Sequence, residues 1–116
     1  MDFLKIEQEQ RVLCTRFDAA FVSTPLDDKV GFAGSTSGLN PINGLRHPRT
    51  SGTSGWYIWR GEAFSESGDF FEPQHAKHIY ESLPIAAHLL GLPPGYRFLL
   101  AEDYLDVWFD EKLLNV

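Results

Sequence analysis

A chain of 116 residues, 43% hydrophobic and 14% aromatic, can bury one core without staples, and no apolar run approaches the roughly 20 residues of a membrane span; one soluble domain over residues 1–116 is expected. The formal charge of −6 repels phosphate backbones, and the ten Lys and Arg residues form no dense cluster, so neither nucleic acid nor membrane is an expected partner. Cys14 is the only cysteine, which excludes an intramolecular disulfide and a multi-cysteine zinc site. The start, Met1-Asp2-Phe3-Leu4-Lys5-Ile6-Glu7, lacks the basic and continuous apolar regions of a secretory signal, and a cytoplasmic location is expected.

Wound at about 100° per residue, Phe3, Ile6, Leu13, Cys14 and Phe17 fall on one stripe while Lys5, Glu9 and Arg16 face elsewhere, which predicts an N-terminal amphipathic helix. Leu4 and Val12 lie off that stripe, and Val-Leu-Cys-Thr also tolerates a strand. Cys14 on the apolar side reads as a small hydrophobe and not as a catalytic thiol. Residues 19–22 and 29–33 read as short strands around the turn Pro25-Leu26-Asp27-Asp28, and so as a hairpin.

Residues 34–55, dominated by Gly, Ser, Thr, Asn and Pro, read as a long loop. Its centre, Gly44-Leu45-Arg46-His47-Pro48-Arg49, offers two guanidinium groups, for the protein's own carboxylates or for an external ligand. Gly55-Trp56-Tyr57-Ile58-Trp59-Arg60-Gly61 follows as a strand with rings on both faces, the mark of a central, covered strand. Residues 62–71 read as an acidic, exposed loop. A helix is expected from Pro73, with Ala76, Ile79, Tyr80 and Leu83 buried and Lys77, His78 and Glu81 outside. Pro84 breaks it, and Ser82 can cap a second short helix.

After Leu92-Pro93-Pro94-Gly95, two strands, Tyr96-Arg97-Phe98-Leu99-Leu100 and residues 104–109, form an antiparallel hairpin across Glu102-Asp103. The second strand is expected close to the Trp56–Trp59 strand, so that the two tryptophan-bearing ribbons fill the interior. The tail, with Leu113, Leu114 and Val116, is expected to pack. The predicted fold is α+β: a mainly antiparallel sheet of about five strands with an N-terminal helix and a Pro-interrupted helix pair packed on it.

His75 and His78 stand three apart beside Asp69 and Glu72, a weak metal spacing on a solvent face, and no metal or other cofactor is expected. No nucleophile neighbours a histidine, and there is no Walker loop, GxSxG or HExxH motif. Asp106 and Asp110 share a strand face about 13 Å apart, too far to divide an acid–base task. No catalytic residue is therefore named.

Gly44-Leu45-Arg46-His47, Gly55-Trp56-Tyr57-Ile58-Trp59, Asp69-Phe70-Phe71 with Pro73 and His75, Leu92-Pro93-Pro94-Gly95-Tyr96-Arg97-Phe98 and Asp106-Val107-Trp108-Phe109-Asp110 follow one another along the chain and are specific as a set. In these motifs, over about residues 28–114, the chain resembles the small bacterial immunity-protein-like domain of polymorphic toxin systems, related to a broad domain family with shared Gly-Trp and Asp-Val motifs. The resemblance implies an inhibitor without naming its toxin, and it supplies no catalytic residue. A non-enzymatic binding protein is expected, with Glu62, Glu66, Asp69, Glu72, Glu102 and Asp103 meeting a basic toxin. Two other readings stay open: a small-molecule or enzymatic domain built on the Arg46-His47 loop, with Trp59, Asp106, Trp108 and Asp110 as a possible ligand or structural cluster, and a housekeeping interaction module.

Overall fold

The computed structural model describes residues 1–65 and 67–115. Helix α1, Phe3–Arg16, starts where the Asp2 carboxylate accepts the Lys5 N–H at 3.2 Å. The predicted stripe holds: Leu13 and Cys14 are buried, and Leu4 and Val12 are exposed. The Cys14 thiol donates to the Gly91 carbonyl at 3.3 Å, and burial raises its pKa, so it stays a protonated core group.

The sheet has six strands, β1 Lys29–Phe32, β2 Ile42–Arg46, β3 Thr53–Arg60, β4 Glu72–His75, β5 Tyr96–Ala101 and β6 Tyr104–Phe109, in the order β4-β1-β3-β2-β5-β6. It is mixed: β1 runs parallel to β3, and every other neighbouring pair is antiparallel. Trp56, Ile58, Ile42, Phe98 and Val30 face α1, α2 (Ala76–Ser82) and the 3-10 helix Pro84–Leu89, and together make the main core. Polar groups stitch the layers. Gln10 Nε2 donates to Tyr80 Oη at 3.1 Å and to the Ala87 carbonyl at 3.0 Å, and Tyr80 Oη donates to the Thr24 carbonyl at 2.7 Å. Trp56 Nε1 donates to Thr24 Oγ1, while Gln10 Oε1 and Asp28 Oδ2 are buried without a hydrogen-bond partner among the described residues.

Several expectations change. Residues 19–22 form no strand and no hairpin with β1; the parallel neighbour β3 takes that place. The expected 34–55 loop contains β2, one of the two central strands, disguised because its buried positions include Gly44 and Arg46. Gly44 is required there: a Cβ would run into the Phe98 ring on the neighbouring strand. The helix expected at Pro73 begins at Ala76 instead, because Pro73 lies in edge strand β4, where a missing N–H is tolerated. Ala76, Ile79, Tyr80 and Leu83 are buried as expected, but the helix after Pro84 starts without a side-chain cap from Ser82. Strand β6 does not lie beside β3: β2 and β5 intervene, and Trp108 at the edge remains 38% exposed.

Candidate functional site

The face of the sheet opposite the helices is covered by loop and tail. Trp59 and Leu45 are buried there with Leu113, and the loop between β3 and β4 lays Phe64, Phe70 and Phe71 across them. The rings meet edge to face, Trp59–Phe64 at 5.0 Å and Tyr57–Phe71 at 5.2 Å between centroids. His47 Nδ1 lies 2.9 Å from the Leu113 carbonyl oxygen and its ring edge faces Tyr57, which fastens the tail to the sheet. The tail segment Glu111–Leu114 thus packs through Leu113; Val116 lies outside the described residues.

The cluster Arg46, His47, Trp59, Asp106, Trp108 and Asp110 does not converge on one place. Arg46 points to the helix side and is wholly buried. Its Nε donates to the Ser54 carbonyl at 2.9 Å, Nη1 to those of Val22 and Leu92, each at 2.8 Å, and Nη2 to that of Ser23 at 3.1 Å. It remains a cation at neutral pH although burial lowers its pKa to about 10. The partner of Asp28 is Arg49, at 2.7 Å. Arg97, absent from the expected cluster, holds Asp110 at 3.1 Å and stands over the Trp108 ring at 5.8 Å. This hydrogen bond lowers the Asp110 pKa below its ordinary value. Asp106 is exposed on the open face of β6. The clefts beside these residues are small. One of about 180 Å³ is lined by Leu45, His47, Tyr57, Phe64 and Phe71, and one of about 170 Å³ by Tyr57, Phe71 and Pro73. Drug-sized ligands occupy roughly 300–1,000 Å³.

His75 and His78 have ring centroids 6.0 Å apart, and among the described residues no three His, Cys, Asp or Glu side chains gather where they could hold a metal. No described helix is long and apolar enough to cross a membrane.

The acidic residues fall in one region. Gly61 and Glu62 follow β3, Glu72 opens β4 opposite the last residue of β1, and Glu102-Asp103 form the β5–β6 turn. The pairings Phe32↔Ile58, Ile42↔Arg60 and Ile42↔Leu100 bring all of these to one end of the sheet. Asp69 belongs to the loop that leaves and returns at that end; Glu66 lies outside the described residues. With strands spaced about 4.8 Å, Glu72 and the Glu102-Asp103 turn stand roughly 20 Å apart.

Residues 33–41, which also build this end, carry no charge, so among the described residues of these strand ends and loops Arg60 is the lone cation against five carboxylates. Its Nε donates to the Leu39 carbonyl at 2.7 Å, and none of the five carboxylates takes part in an ion pair among the described residues. Leu39, Phe64, Ile85 and Tyr104 are each more than half exposed in or beside this region. Leu39 packs on Gly61, and Ile85 shares a cleft with Arg60, Leu100 and Glu102. These four apolar residues were not singled out from sequence; for Leu39 and Phe64 the available signal was a large side chain in an otherwise small or polar loop, and for Ile85 and Tyr104 there was none.

Comparison with known proteins finds no significant match among curated proteins or solved structures. The Imm33-like domain family matches residues 9–110, which takes in the second half of α1, all six strands and the acidic end. The chain therefore belongs to the Imm33-like domain family, an immunity-protein family.

Proposed function

We propose that this chain is a non-enzymatic immunity protein, acting in the cytoplasm, that neutralises a cognate bacterial toxin by occluding it, and that the acidic end of its sheet is the surface that meets the toxin. Family membership suggests the immunity function. The observation that carries the choice of surface is the gathering of Glu62, Asp69, Glu72, Glu102 and Asp103 around exposed Leu39, Phe64, Ile85 and Tyr104. Carboxylates that form no ion pair among the described residues steer a basic surface into contact and reject acidic ones, while apolar side chains supply desolvated anchors once contact is made. Glu66, in the same loop, adds to that charge in the sequence. The Arg46-His47 reading gains nothing, because the Arg46 guanidinium is already held by four main-chain carbonyls.

The test begins with the neighbouring gene: a toxin-domain protein is expected to be encoded immediately upstream of this chain. The two are co-purified, and the toxin is assayed with the chain in excess. With Glu62→Lys, Glu102→Lys and Asp103→Lys combined, association is expected to slow by at least about tenfold at low salt, the gap narrowing as salt rises. If the unaltered chain binds this toxin no better than an unrelated basic protein and leaves it active, the immunity reading fails. If the triple variant binds and protects as well as the unaltered chain, the acidic end is not the contact surface.

A further inference from the structure

The two edges of the sheet are built differently. Strand β4 has four residues, and Pro73, Glu72 and His75 make it a poor template for another strand. Strand β6, Tyr-Leu-Asp-Val-Trp-Phe, has six residues with neither Pro nor Lys nor Arg, and it is the last strand in the order. Its free hydrogen-bonding groups can be assigned. The Asp110 N–H donates to the Gly95 carbonyl at 2.7 Å, in line with the β5–β6 register, so residues 104, 106 and 108 turn their main-chain groups toward β5. Leu105, Val107 and Phe109 turn theirs outward, and among the described residues no other main-chain bond reaches them. The described part of the tail, Glu111–Leu114, turns away from this edge, because Leu113 packs inward against Leu45 and Trp59.

We propose that β6 pairs antiparallel with β6 of a second copy, with Val107 on the two-fold axis, joining two six-stranded sheets into one. This register places Val107 opposite its own counterpart and Leu105 opposite Phe109 of the second copy. All of these turn hydrogen-bonding groups outward and have side chains on the helix-covered face. On the other face Asp106 meets Trp108, and Tyr104 meets Asp110. No like charges stand opposite each other within the strands. The two neighbouring in-phase registers, centred on Asp106 and on Trp108, oppose carboxylates (Asp106 with its counterpart, or Asp106 with Asp110), and each loses one outward-facing residue from the ladder of each strand. Charge and hydrogen-bond parity thus select a single pairing with a second copy. The axis is perpendicular to the sheet, so the acidic ends of the two copies point in opposite directions; Tyr104 joins the seam, and Glu62, Asp69 and Glu72, several strands away, stay clear of it.

The experiment is sedimentation equilibrium of the full chain from low to high micromolar concentration, paired with amide hydrogen exchange. Mass is expected to rise from 13.1 kDa toward twice that value. Exchange at Leu105, Val107 and Phe109 is expected to slow at least about tenfold over the same range. Val107→Pro removes an N–H that β5 does not use, and is expected to give a folded monomer. Trp108→Asp sets a carboxylate opposite Asp106 of the second copy and is expected to weaken the dimer. Asp106→Lys combined with Trp108→Asp turns that opposition into attraction and restores it, which a general effect on folding would not do. A monomer at all concentrations with unchanged exchange at these amides overturns the proposal. So does a dimer whose exchange and variant responses ignore β6, or a chain that is monomeric alone and uses the Val107 edge only to capture the toxin.

Discussion

The two ends of the sheet use charge differently: one pairs its charges internally, and the other leaves carboxylates facing outward. At the end where β1 starts and β2 finishes, Arg46 gathers four carbonyls from three chain segments, and Arg49 and Arg97 each hold an aspartate. At the other end, Glu62, Asp69, Glu72, Glu102 and Asp103 take part in no ion pair among the described residues. A charge that closes loops is part of the fold. A charge facing water beside exposed apolar side chains is available to another molecule.

The comparison breaks most visibly at Arg46. Arg46→Met would leave the carbonyls of Val22, Ser23, Ser54 and Leu92 without their donor, and is expected to cost about 4 kcal/mol in urea unfolding. Arg46→Lys should recover only part of this, because one ammonium cannot reproduce donors spread over Nε, Nη1 and Nη2. A loss below about 1 kcal/mol for Arg46→Met would mean that the arginine at this end is not structural after all.

This residue also explains how far the fold was legible. Periodicity was enough for α1, for the buried face of α2 and for the β5–β6 hairpin, where apolar spacing and burial coincide. It failed at β2, because a strand reading Ile-Asn-Gly-Leu-Arg buries a cation and needs a glycine for the Phe98 ring of its neighbour, and both requirements belong to tertiary structure. It failed at residues 19–22 for the converse reason: Val22 and Ser23 are fixed by the Arg46 side chain, not by a strand ladder. The acidic residues could be named from composition. Their meeting at one end could not, because it follows from the strand order and from the parallel β1–β3 pair.

Acidification probes the charged contacts more gently. Arg97 holds the Asp110 carboxyl below its ordinary 3.8, so its contribution is present above that pH and is lost as pH falls through the lower folded value. Burial against α1, beside Glu9 and Arg16, pushes His88 below 6.5. Below pH 6.5 the unfolded chain therefore takes up a proton that the folded one resists, and stability falls with pH there as well. Unfolding followed at successive pH values should show both losses, with His88→Gln flattening the upper part of the slope and Asp110→Asn the lower.

The smallest expected effect on stability is the one that sharpens the contrast most. Replacing Glu62 and Glu102 by Gln and Asp103 by Asn removes three carboxylates that take part in no ion pair among the described residues, so the unfolding free energy should stay within about 0.5 kcal/mol, with any shift toward greater stability as like charges are relieved. The same variant should bind the toxin more slowly and with weaker salt dependence, because electrostatic steering falls with the charge presented. Unchanged stability with weakened binding is the signature of a surface kept for a partner. A loss of more than about 2 kcal/mol would instead make these carboxylates part of the fold, and the contrast between the two ends would disappear.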